Sequence, residues 1–317
     1  MLRKYDFITI GGATEDIFFT VDDYLMLNDQ KLHERVVGFE YGSKVGIKDM
    51  HYSFGGGASN TAIALAKLGF KVAAVVSVGD DDAGQRMINN LLKHKVDCRF
   101  VQREAGKSGR SLVLKTASGD HVLFTYRASN GLLKINHKLS KKLENAKRLY
   151  LTSLSGAWRE ILKEVFSTKT KIAWNPGRKQ LAVGYNGLKN FLALTDILIL
   201  NKDEAVELLM PLTKKVLPVS MMLKKLYKSG PKIVIITEGR RGASVFDGKK
   251  IYKEKATTHK AIDTTGVGDA FGSTFVAAFD YHNNISRALK LAMKNSGSVV
   301  TKLGAQNGLL SREKIGF

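Results

Sequence analysis

The chain has 317 residues, of which 44% are hydrophobic and 25% charged, with 30 glycines, 4 prolines and a single cysteine, Cys98. These values exclude collagen-like, disordered and disulfide-rich proteins, and the absence of any run of about 18 apolar residues excludes a membrane-spanning helix. Lysine and arginine exceed aspartate and glutamate by 21, but no aromatic-interleaved basic stretch or zinc-finger spacing accompanies them, so we interpret the charge as a basic solvated surface rather than a nucleic-acid site.

The first part of the chain predicts short strands around two helices. The N-terminus lacks the apolar stretch and cleavage site of a secretory signal, so we expect a cytoplasmic protein. A strand over Lys4–Ile10 ends at a glycine pair, and helices are predicted over Ser59–Leu68 and Asp80–Lys93, on either side of a buried strand at Val72–Val78. Alternating patterns predict further strands at Ile17–Val21, His33–Phe39, Met50–Phe54, Cys98–Gln102, Ser111–Lys115 and His121–Tyr126.

After about residue 130 the pattern becomes a strict alternation of helix and strand. A lysine-rich helix is predicted over His137–Arg148. The predicted strands are Arg148–Thr152, Lys171–Trp174, Ile197–Leu200 and Ile233–Thr237, followed by a hairpin of Ala243–Phe246 with Lys250–Lys253. The predicted helices are Ala157–Ser167, Gly187–Leu194, Lys202–Leu209, Ser220–Ser229, Val267–His282 and Ser286–Leu303.

This alternation predicts an α/β fold with a mainly parallel central sheet and helices on both of its faces. We expect a single domain over residues 1–317. The early alternating runs do not fit such a sheet, so they predict a small separate β layer, a lid, inserted at about 17–54 and 98–127.

A glycine-rich turn is the most informative segment of the chain. Gly266 and Gly268 flank Val267 where a long helix begins, and Asp269 follows them. Backbone amides that converge at a helix N-terminus form an anion site, and an aspartate beside that site can take a proton from an attacking hydroxyl. Together these are the requirements of phosphoryl transfer to an alcohol. Considered alone, the turn also fits plain helix capping.

Other polar residues follow the ends of predicted strands. Asn60 lies in the helix opened by Gly55-Gly56-Gly57, where it can bond a hydroxylated ligand. Asn201 and Glu204 begin another helix, where they suit Mg²⁺ or a capping box. Because ligands collect at the carboxyl ends of strands in open α/β sheets, we expect these residues to meet Asp16 and the segment Thr237–Gly242 there.

Two stretches of the sequence resemble the ribokinase family of carbohydrate kinases, also called the phosphofructokinase-B (PfkB) family. Gly56–Ala62, followed by Gly69 and Gly79, is similar to the family's N-terminal pattern, and Asp263–Phe275 is similar to its C-terminal pattern. The second stretch departs from the family at Val267, where alanine is usual, and at Thr274, where a small residue is usual.

The resemblance implies a ribokinase-like fold, ATP and Mg²⁺ as donor and metal, K⁺ at a monovalent-cation site, and a role for each matching residue. Asp269 matches the catalytic base, and Gly266, Val267 and Gly268 match the anion hole. The substrate contacts match Asp16, Gly55, Gly56 and Asn60, to which we add Arg127 as a candidate after the last lid strand. The nucleotide contacts match Asn201, Thr237, Gly239, Gly242 and Asn295. The metal sites match Glu204 for Mg²⁺ and Asp263, Thr265 and Gly304 for the monovalent cation, although Gly308 lacks a side-chain oxygen that some members use there.

The resemblance leaves the acceptor open. A kinase acting on a sugar hydroxyl is the interpretation we favour. A nucleoside kinase is the alternative, because the stretch from Asp16 to Gly55 is longer than in the shortest sugar kinases, and a non-catalytic binding protein is a third. We expect a homodimer through the lid strands, because exposed strand edges invite pairing.

Overall fold

The computed structural model describes residues 3–21, 24–29, 34–115 and 121–317. The strands are β1 (Tyr5–Ile10), β2 (Thr14–Val21), β3 (Leu25–Asp29), β4 (Glu34–Gly38), β5 (Ile47–Gly55), β6 (Val72–Val75), β7 (Ser77–Gly79), β8 (Gln102–Glu104), β9 (Arg110–Lys115), β10 (His121–Tyr126), β11 (Ala146–Leu151), β12 (Lys171–Trp174), β13 (Ile197–Asn201), β14 (Ile233–Thr237), β15 (Ala243–Phe246) and β16 (Ile251–Glu254). The helices are α1 (Gly57–Lys67), α2 (Asp82–Lys93), α3 (His137–Leu143), α4 (Trp158–Phe166), α5 (Arg178–Leu181), α6 (Gly184–Leu192), α7 (Lys202–Thr213), α8 (Val219–Tyr227), α9 (Val267–His282), α10 (Ile285–Val299) and α11 (Arg312–Ile315).

The central sheet has the order β16-β15-β14-β13-β12-β11-β1-β6. The strands from β14 to β6 are parallel, and the β15–β16 hairpin adds an antiparallel edge. Alternate residues of β13 and β14 enter two different cores: Ile199 and Ile235 pack on one face of the sheet, and Leu198 and Val234 pack on the other. A strand buried on both faces must be apolar throughout. The predicted fold class is thus confirmed.

A second sheet, the small sheet, has four strands in the order β10-β9-β2-β5. In it β2 and β9 are parallel, and the outer pairs are antiparallel. The β3–β4 hairpin lies in the connection between β2 and β5. These strands correspond to the predicted insertions, and the division of the chain into domains stays a prediction.

Several predicted elements differ from the structure; α10, for example, ends at Val299 and not at the predicted Leu303. Val72–Val78 is two strands, β6 and β7. The strand predicted at Cys98–Gln102 instead begins at Gln102, because the Asp97 carboxylate accepts a hydrogen bond from the Arg99 amide and closes a turn there. The helix predicted over His137–Arg148 ends at Leu143, because the residues from Ala146 onward pair in the central sheet as β11. Among the described residues, no helix has the length and apolar character needed to cross a membrane.

Candidate active site

The turn before α9 lies at the carboxyl end of the central sheet. Gly266 adopts a left-handed conformation with φ of 73°, and a Cβ there would lie 2.3 Å from Cβ of Ala305. Glycine is therefore required at position 266 for the turn to approach the loop that follows α10, at Ala305. A Cβ at Gly268 would meet no described atom within 4 Å. The first-turn amides of Gly268 and Asp269 have no intrahelical acceptor, so the open side of this turn is suited to an anion.

Asp269 lies in the first turn of α9 and is held by a side chain from α1. Its Oδ2 accepts a hydrogen bond of 2.8 Å from Nδ2 of Asn60. Burial raises the pKa of the Asp269 carboxyl to about 6, and the negative charge of Asp16 adds to that effect although the Asn60 bond opposes it. A carboxylate with a pKa near 6 is ionised at neutral pH and is a stronger base than an ordinary aspartate.

Asn60 is itself oriented by a residue that sequence reasoning missed. Gln306 donates from Nε2 to Oδ1 of Asn60 at 2.9 Å, and its Oε1 accepts from Nδ2 of Asn90 at 2.8 Å. Because the Asn60 oxygen is engaged by Gln306, its amide nitrogen faces Asp269. Gln306 follows no motif, so only the folded chain reveals this relay.

Asp16 is buried in the small sheet beside the glycine run that precedes α1. Thr14 donates its hydroxyl to Oδ1 of Asp16 at 2.8 Å. Burial raises the pKa of Asp16, and the charge of Asp263 contributes. A Cβ at Gly55 would lie 2.1 Å from Oδ2 of Asp16, and a Cβ at Gly56 would lie 2.5 Å from the Gly12 oxygen. The glycines thus permit the close approach that brings Asp16 and Asn60 to one site.

Asn201 and Glu204 form a reciprocal capping box at the start of α7. The Asn201 amide donates to Oε2 of Glu204 and the Glu204 amide donates to Oδ1 of Asn201, each at 2.8 Å. Burial raises the pKa of Glu204, and the negative charges of Glu207 and Asp269 add to the effect. The capping interpretation is therefore correct, and the same carboxylate lies within electrostatic range of Asp269.

This clustering of negative charge fits a divalent cation, and an oxygen donor set is what Mg²⁺ prefers. In the part of the chain that the structure describes, no group of three or more His, Cys, Asp or Glu side chains could hold a metal by itself. Glu204 would therefore share such an ion with water and with the phosphate groups of a nucleotide.

The residues predicted for a monovalent cation also meet. Oδ1 of Asp263 accepts bonds from the amide and hydroxyl of Thr265, and Oδ2 accepts from the Gly304 amide at 2.8 Å. At Gly308 a Cβ would lie 2.5 Å from Cα of Val299, so backbone packing excludes a side chain at this position. Asp263 thus links the segment of Thr265 to the loop at Gly304, and the monovalent-cation site stays a prediction.

The predicted nucleotide end of β14 lies beside the start of α7. Thr237 is paired in register with Asn201 across the two parallel strands. Gly239 and Gly242 have φ of 56° and 97°, and a Cβ at Gly242 would lie 2.0 Å from the Glu254 oxygen. The two glycines let the chain turn back sharply from β14 into β15.

Two predicted contacts do not join this group. The Asn295 side chain is fully buried, donates to Oγ1 of Thr274 at 2.7 Å and accepts from the Leu310 amide, and its nucleotide contact stays a prediction. The same bond accounts for threonine at position 274, where a small residue was expected. Arg127 is exposed after β10, and its substrate contact stays a prediction.

Comparison with known proteins places the chain in a family. Residues 24–312 match the model of the pfkB family carbohydrate kinases. An ATP-dependent 6-phosphofructokinase from Thermoanaerobacterium thermosaccharolyticum is 26% identical, with 96% of this chain and 90% of the relative covered.

Solved structures show the same fold. A ribokinase from Thermotoga maritima matches with a TM-score of 0.84 and 22% identity over 98% of both chains. A Burkholderia thailandensis nucleoside kinase in complex with inosine matches with a TM-score of 0.79 and 18% identity, covering 98% of this chain and 96% of the other.

Fold and relatives together define a phosphotransferase that acts on an alcohol group. Within that class, the chain belongs to the pfkB family of carbohydrate kinases and is ribokinase-like in its fold.

Proposed function

We propose that this protein transfers the γ-phosphoryl group of ATP to a hydroxyl of a sugar. The observation that carries the proposal is the position of Asp269: an ionisable carboxylate with a pKa of about 6, in the first turn of α9, beside the open amides of the Gly266-Val267-Gly268 turn. One group serves as base, and the adjoining turn serves as an anion hole.

Asp269 accepts the proton of the acceptor hydroxyl while that oxygen attacks the γ-phosphorus. The amides at the start of α9 stabilise the negative charge on the transferred group, and the helix dipole acts in the same direction. Asp16 and Asn60 hold the acceptor by its other hydroxyls. The small sheet covers the acceptor and excludes water, which limits wasteful hydrolysis of ATP.

The donor side is formed by the ends of β13 and β14. Asn201, Thr237 and the turn from Gly239 to Gly242 contact the nucleotide, and Glu204 would hold Mg²⁺, which neutralises phosphate charge when bound. Asp263, Thr265 and Gly304 would hold K⁺ beside the turn, and its positive charge would support the anion hole electrostatically.

A nucleoside acceptor is the second candidate. The β3–β4 hairpin lengthens the insertion between β2 and β5, and a longer insertion here is the feature that favours nucleoside kinases. One structural relative carries inosine.

ADP formation from ATP and Mg²⁺ tests the proposal. The panel contains ribose, fructose, fructose phosphates, ketodeoxygluconate, adenosine, inosine and cytidine, with Asp269→Asn as the matched blank. We expect turnover with one sugar and a loss of about 10²–10⁴-fold in the variant, since that is what a general base contributes. Turnover only with a nucleoside would select the second candidate, and equal activity of the variant would refute the role of Asp269.

A further inference from the structure

A groove of about 750 Å³ lies at the amino end of the central sheet, opposite the candidate active site. Its walls are the starts of β12, β13 and β14, the turn between β15 and β16, and the N-terminus of α10. Helix α9 runs between the two ends of the sheet, and its 16 residues span about 24 Å. The groove is therefore distinct from the site at Asp269, and its volume suits a small molecule of nucleotide size.

Basic side chains predominate in the lining of this groove. Its described charged residues are Arg148, Lys171, Lys232, Lys249 and Lys250, against Asp196 and Asp247. Lys171 and Lys249 are exposed and form no ion pair with any residue that the structure describes. Their charges remain available to a ligand.

The two acidic side chains are already engaged. Asp196 pairs with Lys232 at 2.8 Å and accepts the Ile172 amide. Asp247 accepts the amides of Lys249 and Lys250 and thereby shapes the β15–β16 turn. Because both carboxylates are bound within the protein, they oppose an incoming anion less than free carboxylates would.

Arg148 supplies the observation that points to a ligand. Its side chain is only 3% exposed, and Nε and Nη2 bind the carboxylate of Asp280 at 2.7 and 2.6 Å. Its Nη1 is buried without a hydrogen-bond partner among the described residues, although Arg148 lines the groove. A buried guanidinium N–H without an acceptor is costly, and an anion in the groove would supply that acceptor.

The N-terminus of α10 adds donors on the same side. Asn284 caps the Arg287 amide with its side chain, whereas Ile285 and Ser286, which line the groove, occupy the first-turn positions whose amides have no intrahelical acceptor. A helix of 15 residues presents a substantial positive potential at this end. Arginine, lysines and helix amides together are the donor set of a phosphate site.

We propose that this groove is a second ligand site, which binds a phosphorylated small molecule carrying at least two anionic groups. Arg148 and the α10 amides bind one group, and Lys171 and Lys249 bind the other. The site does not depend on the catalytic activity proposed above, since none of its residues belongs to that machinery.

Amide hydrogen exchange of the 317-residue chain tests the site. The probe is inorganic tripolyphosphate at low ionic strength. The reporter is the peptide over 283–287, whose sequence is the same in every variant, and the peptide over 264–270 reports the catalytic turn separately. The test variant is Lys171→Gln with Lys249→Gln. The control is Lys163→Gln with Lys189→Gln, two exposed lysines outside the groove. Arg148 is left intact because its ion pair with Asp280 anchors α9 to the sheet.

We expect saturable protection at 283–287 in the wild type, with a half-saturation concentration at least tenfold higher in the groove variant and within twofold in the control. Equal weakening in both variants would show unspecific charge screening and would overturn the proposal. Protection confined to 264–270 would show that the anion binds only the catalytic turn and would overturn it as well.

Discussion

The carboxyl group of Asp269 links activity and stability through one pKa. That pKa is about 6 in the folded protein, against 3.8 for an ordinary aspartate, so the folded state favours the protonated form. The contribution of the Asp269 carboxyl to the stability of the fold is therefore fully present below pH 3.8. It is lost as the pH rises through about 6. In the proposed function the ionised form of Asp269 is the base, so activity is expected to rise over the range in which stability falls.

We predict that kcat/KM rises with pH around an apparent pKa near 6. We also predict that Asp269→Asn stabilises the fold by up to about 3 kcal/mol at pH 8, because a shift of one pKa unit corresponds to about 1.4 kcal/mol, and that this gain disappears near pH 4. Rate measurements and urea unfolding of both proteins across this range provide the check. A stability difference that does not change with pH would contradict the assigned pKa.

At the residue scale, the sequence predicted the candidate catalytic and binding groups but not the residues that orient them. Asp269, Asn60 and Asp16 were predicted because glycine turns and strand ends mark them, and their roles stay predictions. Gln306 was missed because its bond to Asn60 joins segments 246 positions apart and leaves no local pattern. The bond from Asn295 to Thr274 was missed for a related reason, because Thr274 lies on another helix.

At the scale of the element, the two glycines of the turn before α9 are expected to affect different properties. Substitution of Gly266 lowers stability, and substitution of Gly268 lowers activity. Gly266→Ala places a methyl group 2.3 Å from Cβ of Ala305 at a left-handed φ, so we expect a loss of about 2–3 kcal/mol in unfolding free energy. Gly268→Ala meets no described atom and favours the helix by up to about 1 kcal/mol.

In the proposed function, the methyl group of Gly268→Ala nevertheless enters the open space that the transferred phosphoryl group would occupy. We therefore expect this variant to be as stable as the wild type or more so, and to lose turnover. Thermal unfolding and steady-state kinetics of the matched pair distinguish the effects. A fully active Gly268→Ala enzyme would indicate that the anion does not approach this turn.

The sequence predicted the bounds of a strand or helix well where its residues are buried on both faces or where a capping residue marks its end. β13 and β14 were predicted with nearly their observed bounds because they are continuous apolar runs. The strand expected at Cys98–Gln102 was shifted, because the side chain of Asp97 bonds the Arg99 amide and turns the chain before the pairing of β8 with β7 begins. Such a side-chain contact competes with strand formation in a way that alternation alone does not reveal.

At the scale of the whole molecule, the outer face of the small sheet predicts a dimer. Tyr52, Ile17, Leu112 and Phe124 stand opposite one another across four strands, and three of them are more than 40% exposed. An apolar row of this kind on an otherwise charged surface marks an interface. A second copy of the chain presents the same row, so two small sheets can cover each other by a twofold axis.

We predict that sedimentation velocity finds a dimer at micromolar concentration, and that Leu112→Lys gives a folded monomer because a lysine cannot be buried unpaired at the centre of this row. Leu194→Lys is the matched control, since Leu194 is a similarly exposed leucine after α6, away from the small sheet. The control is expected to remain a dimer with an unchanged circular dichroism spectrum. A monomeric wild type, or a dimer that survives Leu112→Lys, would show that this face meets solvent. In either case the small sheet would have to cover the acceptor within a single copy of the chain.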